Sequence, residues 1–248
     1  MLIQVVHCHP LVESYNHALF RTIVETLKQN GHEVVSTDLY REGFQPAMTE
    51  RERRTYMDMS YDKSAVAGYA KTLKEVEGVI LCFPHWWFSM PAMLKGWVDR
   101  VFSRGFAYSA GRKYESGHFK GKRAMLCLTT GTASTLYEAN GIDGDLLHVL
   151  WPIHNGILGY TGFTVLPPFA AWMPARVSDE VRAGYLGDYR QRLESLDTTQ
   201  ALYFHPWSDY DETQRLKPGV RALSGVQWNP RADQTFEASA SDAAASRS

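Results

Sequence analysis

Two hydrophobic periods alternate along the chain. Short runs in which nearly every residue is apolar, such as Leu2–Val6 and Val79–Phe83, are separated by longer stretches in which apolar residues recur every three or four positions. The first kind reads as buried strand and the second as amphipathic helix. A strand is predicted over Leu2–Val6, then a helix from about His17 to Asn30 with Leu19, Phe20, Ile23, Val24 and Leu27 on one face. Asn16 is the expected N-cap of that helix and Gly31 its terminator. A second strand covers Glu33–Leu39, and residues 41–63 form a charged connector with one short helix. Helix over Ser64–Val76, strand over Gly78–Phe83 and helix over Pro91–Ser103 come next. A turn-rich segment, 104–122, leads into a fourth strand at Arg123–Thr129. Helix at 144–158, a fifth strand at Phe163–Leu166 and a last helix at 178–195 complete the pattern.

Strands that alternate with helices make βαβ units, so the expected class is α/β, with one parallel sheet and helices on both faces. Five strands match the flavodoxin-like doubly wound form, with strand order 2-1-3-4-5. Residues 1–230 are expected to form one domain, and the Ala/Ser-rich stretch 231–248 a disordered tail. Such sheets bind ligands beyond the carboxyl ends of their strands, which makes loops 8–17, 83–90 and 129–137 the candidate crevice.

Composition narrows the function. Lys+Arg number 26 against 27 Asp+Glu, and the net charge of −1 gives no support to nucleic-acid or membrane-surface binding. No apolar run reaches the length of a membrane span, and no signal peptide is expected ahead of Leu2. Cys8, Cys82 and Cys127 lie in or beside strand-like runs without metal or disulfide spacing, so they read as inert buried thiols in a reducing cytoplasm. No metal centre is expected.

Candidate chemistry centres on Phe83-Pro84-His85-Trp86-Trp87-Phe88, where a buried strand stops at a proline and opens into three consecutive large rings. Such rings are costly to leave in water, so the chain itself, a second subunit or a flat ligand must cover them. Their place at the crevice favours a flat ligand. The first loop has no glycine, which excludes the dinucleotide fingerprint and the Walker loop. It offers His9, Ser14, Tyr15 and Asn16 before a helix N-terminus that favours an anion, or else Asn16 only caps and His9 only packs. Thr129-Thr130-Gly131 could bond the polar edge of a heterocycle, or be an ordinary turn.

In combination these stretches resemble the NAD(P)H:quinone oxidoreductase (DT-diaphorase) family of flavodoxin-like fold. The resemblance is carried by His9…Ser14-Tyr15-Asn16, Asp38-Leu39-Tyr40, Phe83-Pro84…Trp87-Phe88…Pro91-Ala92…Leu94-Lys95-Gly96-Trp97, Thr129-Thr130-Gly131 and Trp151-Pro152-Ile153. It runs from residue 2 to about 206. It implies a homodimer holding FAD, with FMN the lesser alternative, and ping-pong hydride transfer from NADPH or NADH through flavin N5 to a quinone. The adenine-diphosphate half falls to His9, Ser14, Tyr15 and Asn16, with Arg182 and Leu186 nearby. The flavin ring falls to Pro84, His85, Trp87, Phe88, Thr129, Thr130, Gly131 and Tyr137. Trp87, Phe88, Tyr108, Gly131, Thr132, Tyr160 and Arg176 face the substrate. Tyr137 and Asp143 are the catalytic positions, with Asp143 standing where the family has a relay histidine. Thr132 for glycine, Ala110 for tyrosine, Arg176 for histidine and Tyr160 for phenylalanine are further departures, and suggest a roomier, more polar pocket. Related folds also include regulatory subunits of potassium-efflux transporters and FMN-dependent azo- or nitroreductases, which stand as alternatives.

Overall fold

A computed structural model describes residues 1–57, 60 and 62–234. Six strands form one parallel sheet: β1 (Leu2–His7), β2 (Glu33–Asp38), β3 (Gly78–Pro84), β4 (Arg123–Thr130), β5 (Thr164–Val165) and β6 (Phe169–Trp172). The order is β2-β1-β3-β4-β5, with β6 also paired to β4. This is the expected doubly wound arrangement. Successive strand residues are buried on opposite faces. Val6, Leu81 and Leu126 join one core layer, whereas Val5, Ile80 and Met125 join the other. Burial on both faces is why these strands read as unbroken apolar runs rather than as alternating ones.

Helices α1 (Tyr15–Gln29) and α7 (Asp179–Glu194) pack together over the second layer. Over the first lie α3 (Ala67–Glu75) and α4 (Ala92–Val101), the latter through Leu94, Trp97, Val98 and Val101. The charged connector contains α2 (Glu50–Thr55), which a Thr49–Glu52 capping box opens. Buried Arg100 of α4 bonds Glu52 at 2.6 and 3.1 Å and also donates to the Gln45 carbonyl, tying the connector to the domain.

Four expectations change. Ser14, not Asn16, caps α1: its Oγ accepts from the His17 amide at 3.1 Å. Asn16 turns inward, where it is buried and accepts from the Cys82 thiol. The fifth strand is interrupted at Pro167-Pro168, whose missing N–H groups cannot continue a ladder, and it resumes as β6 against the end of β4. The helix expected over 144–158 is broken into α5 (Leu146–Val149), α6 (Trp151–Ile153) and a π-helical turn at His154–Gly159. Pro152 and two glycines explain why no regular helix spans it. Of the stretch 231–248, residues 231–234 pack back on the domain, with buried Gln234 bonded to Ala222 and Asn229; the remainder lies outside the described residues. The three cysteines are free and buried. Among the described residues no helix is long and apolar enough to cross a membrane.

Candidate functional site

The aromatic stretch folds as a tight turn. The His85 amide extends the sheet by bonding Thr129 O at 2.8 Å, and Trp86 and Ser89 then exchange two backbone bonds, each of 3.1 Å. Trp87 and Phe88 occupy the two central positions with φ of 51° and 58°. That conformation normally goes to Asn and Gly, and it costs an L-residue about 1–2 kcal/mol each. Trp87 is nonetheless 95% exposed, so no packing within the chain offsets the strain. Backbone strain of this kind clusters at ligand-binding and catalytic positions.

Beside this turn opens a cleft of about 600 Å³. Its walls are His9, the Pro84–Trp87 segment, Thr129-Thr130-Gly131 and the Met173–Arg176 segment. Met173 follows β6, bonds Thr130 O at 3.0 Å and also has positive φ, 48°. The ends of β3, β4 and β6 therefore converge on one opening, as the doubly wound rule requires. At Gly131 a side chain would meet nothing within 4 Å, so the wall there is open to a ligand. Arg176 brings a fixed positive charge to the rim.

Behind the cleft stands a titratable cluster. The Tyr137 ring is 5.8 Å from His85, 6.3 Å from Phe88 and 5.5 Å from Trp172. Burial raises the Tyr137 pKa; the Thr132 hydroxyl beside it opposes the shift, and the Asp143 charge adds to it. Burial lowers the His85 pKa, with the Asp143 charge opposing. Among the described residues neither His85 ring nitrogen has a hydrogen-bond partner. Half-buried Asp143 is held by its amide bonding Leu136 O at 3.0 Å. The loop carrying it is tight, since a Cβ on Gly141 would come within 2.3 Å of that same Leu136 oxygen.

Of the residues expected to hold a diphosphate, His9 lines the cleft, whereas Ser14, Tyr15 and Asn16 stand at the start of α1. His9 accepts from the Leu11 amide and touches Trp86 at 5.9 Å between ring centroids. Tyr15 donates to Arg182 O, and the Arg182 guanidinium holds Pro174 O at 2.9 Å, Val177 O at 2.6 Å and the Asp179 carboxylate. Arg182 thus braces the Met173–Arg176 wall. Leu186 packs on the α1 side of the core. The amides of Tyr15 and Asn16, in the first turn of α1, lack intrahelical acceptors and are the anion donors the region offers.

Two expected substrate residues stand elsewhere. Tyr108 and Tyr160 face each other at 6.0 Å, beside Tyr114 and Lys113, and among the described ring contacts none joins them to Tyr137. Trp86, part of the aromatic stretch singled out from the sequence, lines the cleft; Trp172 and the segment Met173-Pro174-Ala175 were not foreseen beside it. Their signal was the apolar run Phe169–Trp172, hidden behind the proline pair.

A doubly wound sheet with a ring-lined cleft at its carboxyl edge defines a flavodoxin-like protein. The flavodoxin-like fold family model matches residues 1–193. Rat NAD(P)H dehydrogenase [quinone] 1 is 34% identical over 223 residues, covering 84% of this chain and 81% of that one. A ribosyldihydronicotinamide dehydrogenase-like protein, traD of Penicillium crustosum, is 37% identical over 234 residues, with 84% and 86% covered. A Klebsiella pneumoniae crystal structure, assigned provisionally as a quinone reductase, superposes with TM-score 0.79 at 30% identity, over 92% of this chain and 97% of that one. The chain belongs to the NAD(P)H:quinone oxidoreductase family.

Proposed function

We propose that the chain is an NAD(P)H dehydrogenase (quinone): a cytoplasmic homodimer that holds FAD noncovalently and reduces quinones by two electrons. The observation that carries this is the strained, exposed Trp87 on the rim of a cleft backed by Tyr137, His85 and Asp143. A flat ring fits between the Trp87 turn and the Thr129–Gly131 strand end, and buried His85 has unpartnered nitrogens for it. His9, Ser14, Tyr15 and Asn16 would take the phosphates, with Arg182 and Leu186 behind them. A flavin held there would supply the hydride-transfer chemistry between a dihydronicotinamide and a quinone.

The chain's own contribution is orientation and charge control. Tyr137, whose proton is held tightly by burial, donates a hydrogen bond toward negative charge that develops at the cleft floor. The Asp143 charge bears on both Tyr137 and His85, and Arg176 supplies a counter-charge at the rim. Trp87 and Phe88 stack the two substrates in turn on one face, which makes the kinetics ping-pong. The exposed Trp86, Trp87, Phe88 and Ile142 call for a cover, and Tyr108 and Tyr160 do not reach the cleft of their own chain. A second copy that brings those tyrosines over the rings would meet both needs.

The purified protein is expected to be yellow, to bleach with NADPH or NADH and to recover its colour when a quinone is added. No bleaching by either donor, and none by ribosyldihydronicotinamide, would overturn the assignment. Heat-released flavin that proved to be FMN would overturn the FAD part alone.

A further inference from the structure

Three side chains with metal-binding atoms meet beneath the start of α1, and none of them lines the cleft. His7 ends β1 and Asp38 ends β2, and the two are direct partners in the parallel register. His17, in the first turn of α1, brings Nδ1 to 3.4 Å from Nε2 of His7. One donor atom of each of the three residues lies within 4.8 Å of the others. We propose that His7, His17 and Asp38 form a structural site for a divalent first-row transition metal of the zinc class, with water completing the shell.

The spacing suits such an ion. Metal–nitrogen and metal–oxygen bonds of about 2.0–2.2 Å at tetrahedral angles put donors about 3.3 Å apart. The two imidazole nitrogens already stand at that separation. Closing the carboxylate onto the same point needs a side-chain rotation of under about 1.5 Å. Asp38 is prepared for that role. Its Oδ1 accepts from the amides of Tyr40 and Arg41, each at 3.2 Å, which fixes the carboxylate and leaves Oδ2 for another partner. Among the described residues no lysine or arginine pairs with it, so its negative charge faces two imidazoles with no side-chain cation to balance it. His7 is held in place by stacking on Phe20 at 4.6 Å. Two imidazoles and a carboxylate, with no thiolate, select zinc, cobalt, nickel or iron(II) over softer ions or calcium.

The three ligands come from three elements, so a metal would pin the first turn of α1 to the carboxyl ends of β1 and β2. That turn anchors the loop from Cys8 to Ser14. The expected consequence is stabilisation of the fold and of this loop.

Flavin-loaded protein, dialysed against a chelator, is titrated with zinc sulfate by calorimetry and with cobalt(II) by visible absorption. One zinc should bind per chain and raise the melting temperature by several degrees, and cobalt should give d–d bands. His17→Gln and Asp38→Asn alter half-buried side chains and should keep the flavin spectrum. Each should weaken zinc binding by more than the about 10- to 100-fold that removing a group behind a ligand costs, and should abolish the cobalt bands. Absence of stoichiometric zinc in the unaltered protein, or equally tight zinc in both variants, would overturn the site. Metal binding is read directly, so the outcome is independent of whether quinones are reduced.

Discussion

The ring of Tyr137 stands 5.8 Å from that of His85, at 67°, and neither imidazole nitrogen has a hydrogen-bond partner among the described residues. Two polar groups held this way behind an open cleft are prepared for a ligand rather than for each other. Tyr137→Phe keeps the ring contacts and removes only the hydroxyl. Flavin should be retained, while hydride transfer, followed by stopped-flow bleaching, should slow by about 10²-fold. Unchanged transfer would remove Tyr137 from the chemistry.

Asp143 acts on both members of that pair through its charge, raising the pKa of each. Asp143→Asn should therefore lower the His85 pKa further below its ordinary value, and bring that of Tyr137 down toward the ordinary phenol range. An NMR titration of the His85 ring reads the first shift directly. Asp143→His should raise turnover near neutral pH if a neutral relay at this position is what the chain lacks. A drop would show that the carboxylate has its own role.

How much of this was legible beforehand depended on what each residue is held by. Strands buried on both faces announce themselves as apolar runs, so the sheet and its crevice followed from Leu2–Val6 and Val79–Phe83. Ser14 and Asn16 are both competent caps two residues apart, and only burial of the Asn16 side chain, which local sequence does not encode, decided between them. The expected fifth strand ended at Leu166, just before the prolines at 167 and 168, and nothing local showed that β4 was long enough to pair again beyond them. With β6 unseen, the Met173–Arg176 wall was unseen too. Tyr108 and Tyr160 entered through family resemblance, and the fold of one chain leaves them apart from Tyr137.

His154, in the π-helical turn, is buried with neither nitrogen partnered among the described residues, and burial lowers its pKa to about 3. The unfolded value is about 6.5, so the native state resists a proton that the unfolded chain accepts. The stability this histidine contributes is complete above pH 6.5 and is lost as pH falls toward 3. At pH 5 the loss is about 2 kcal/mol. Urea midpoints at pH 7 and 5 should show it, and His154→Leu should remove about that much of the difference. An unaltered difference would mean that other histidines carry the acid sensitivity.

The Glu52–Arg100 pair is buried and ties the connector to α4. Burial alone would push the Glu52 carboxyl up, but hydrogen bonds from Thr49 and Arg100 outweigh it and hold the pKa below the usual value. Glu52→Ala leaves the guanidinium buried without its carboxylate. The cost should be about 3–5 kcal/mol in denaturant midpoints. A cost under about 1 kcal/mol would show that water reaches Arg100 once the connector loosens.

Trp87 offers the sharpest separation of stability from function. It occupies the first central position of a turn that favours Asn, at φ 51°, and its ring lies in solvent. Trp87→Asn therefore removes strain and forfeits almost no packing within the chain. Flavin-free protein should become more stable by about 1 kcal/mol, read from urea midpoints. The same change strips the rim of the ring proposed to stack the incoming substrates, so quinone and dihydronicotinamide should each bind more weakly, and kcat/KM should fall. A natural residue that lowers stability while exposing apolar surface is retained for what it binds. If Trp87→Asn left both stability and kcat/KM unchanged, the strain would have no counterpart in function and Trp87 would leave the site.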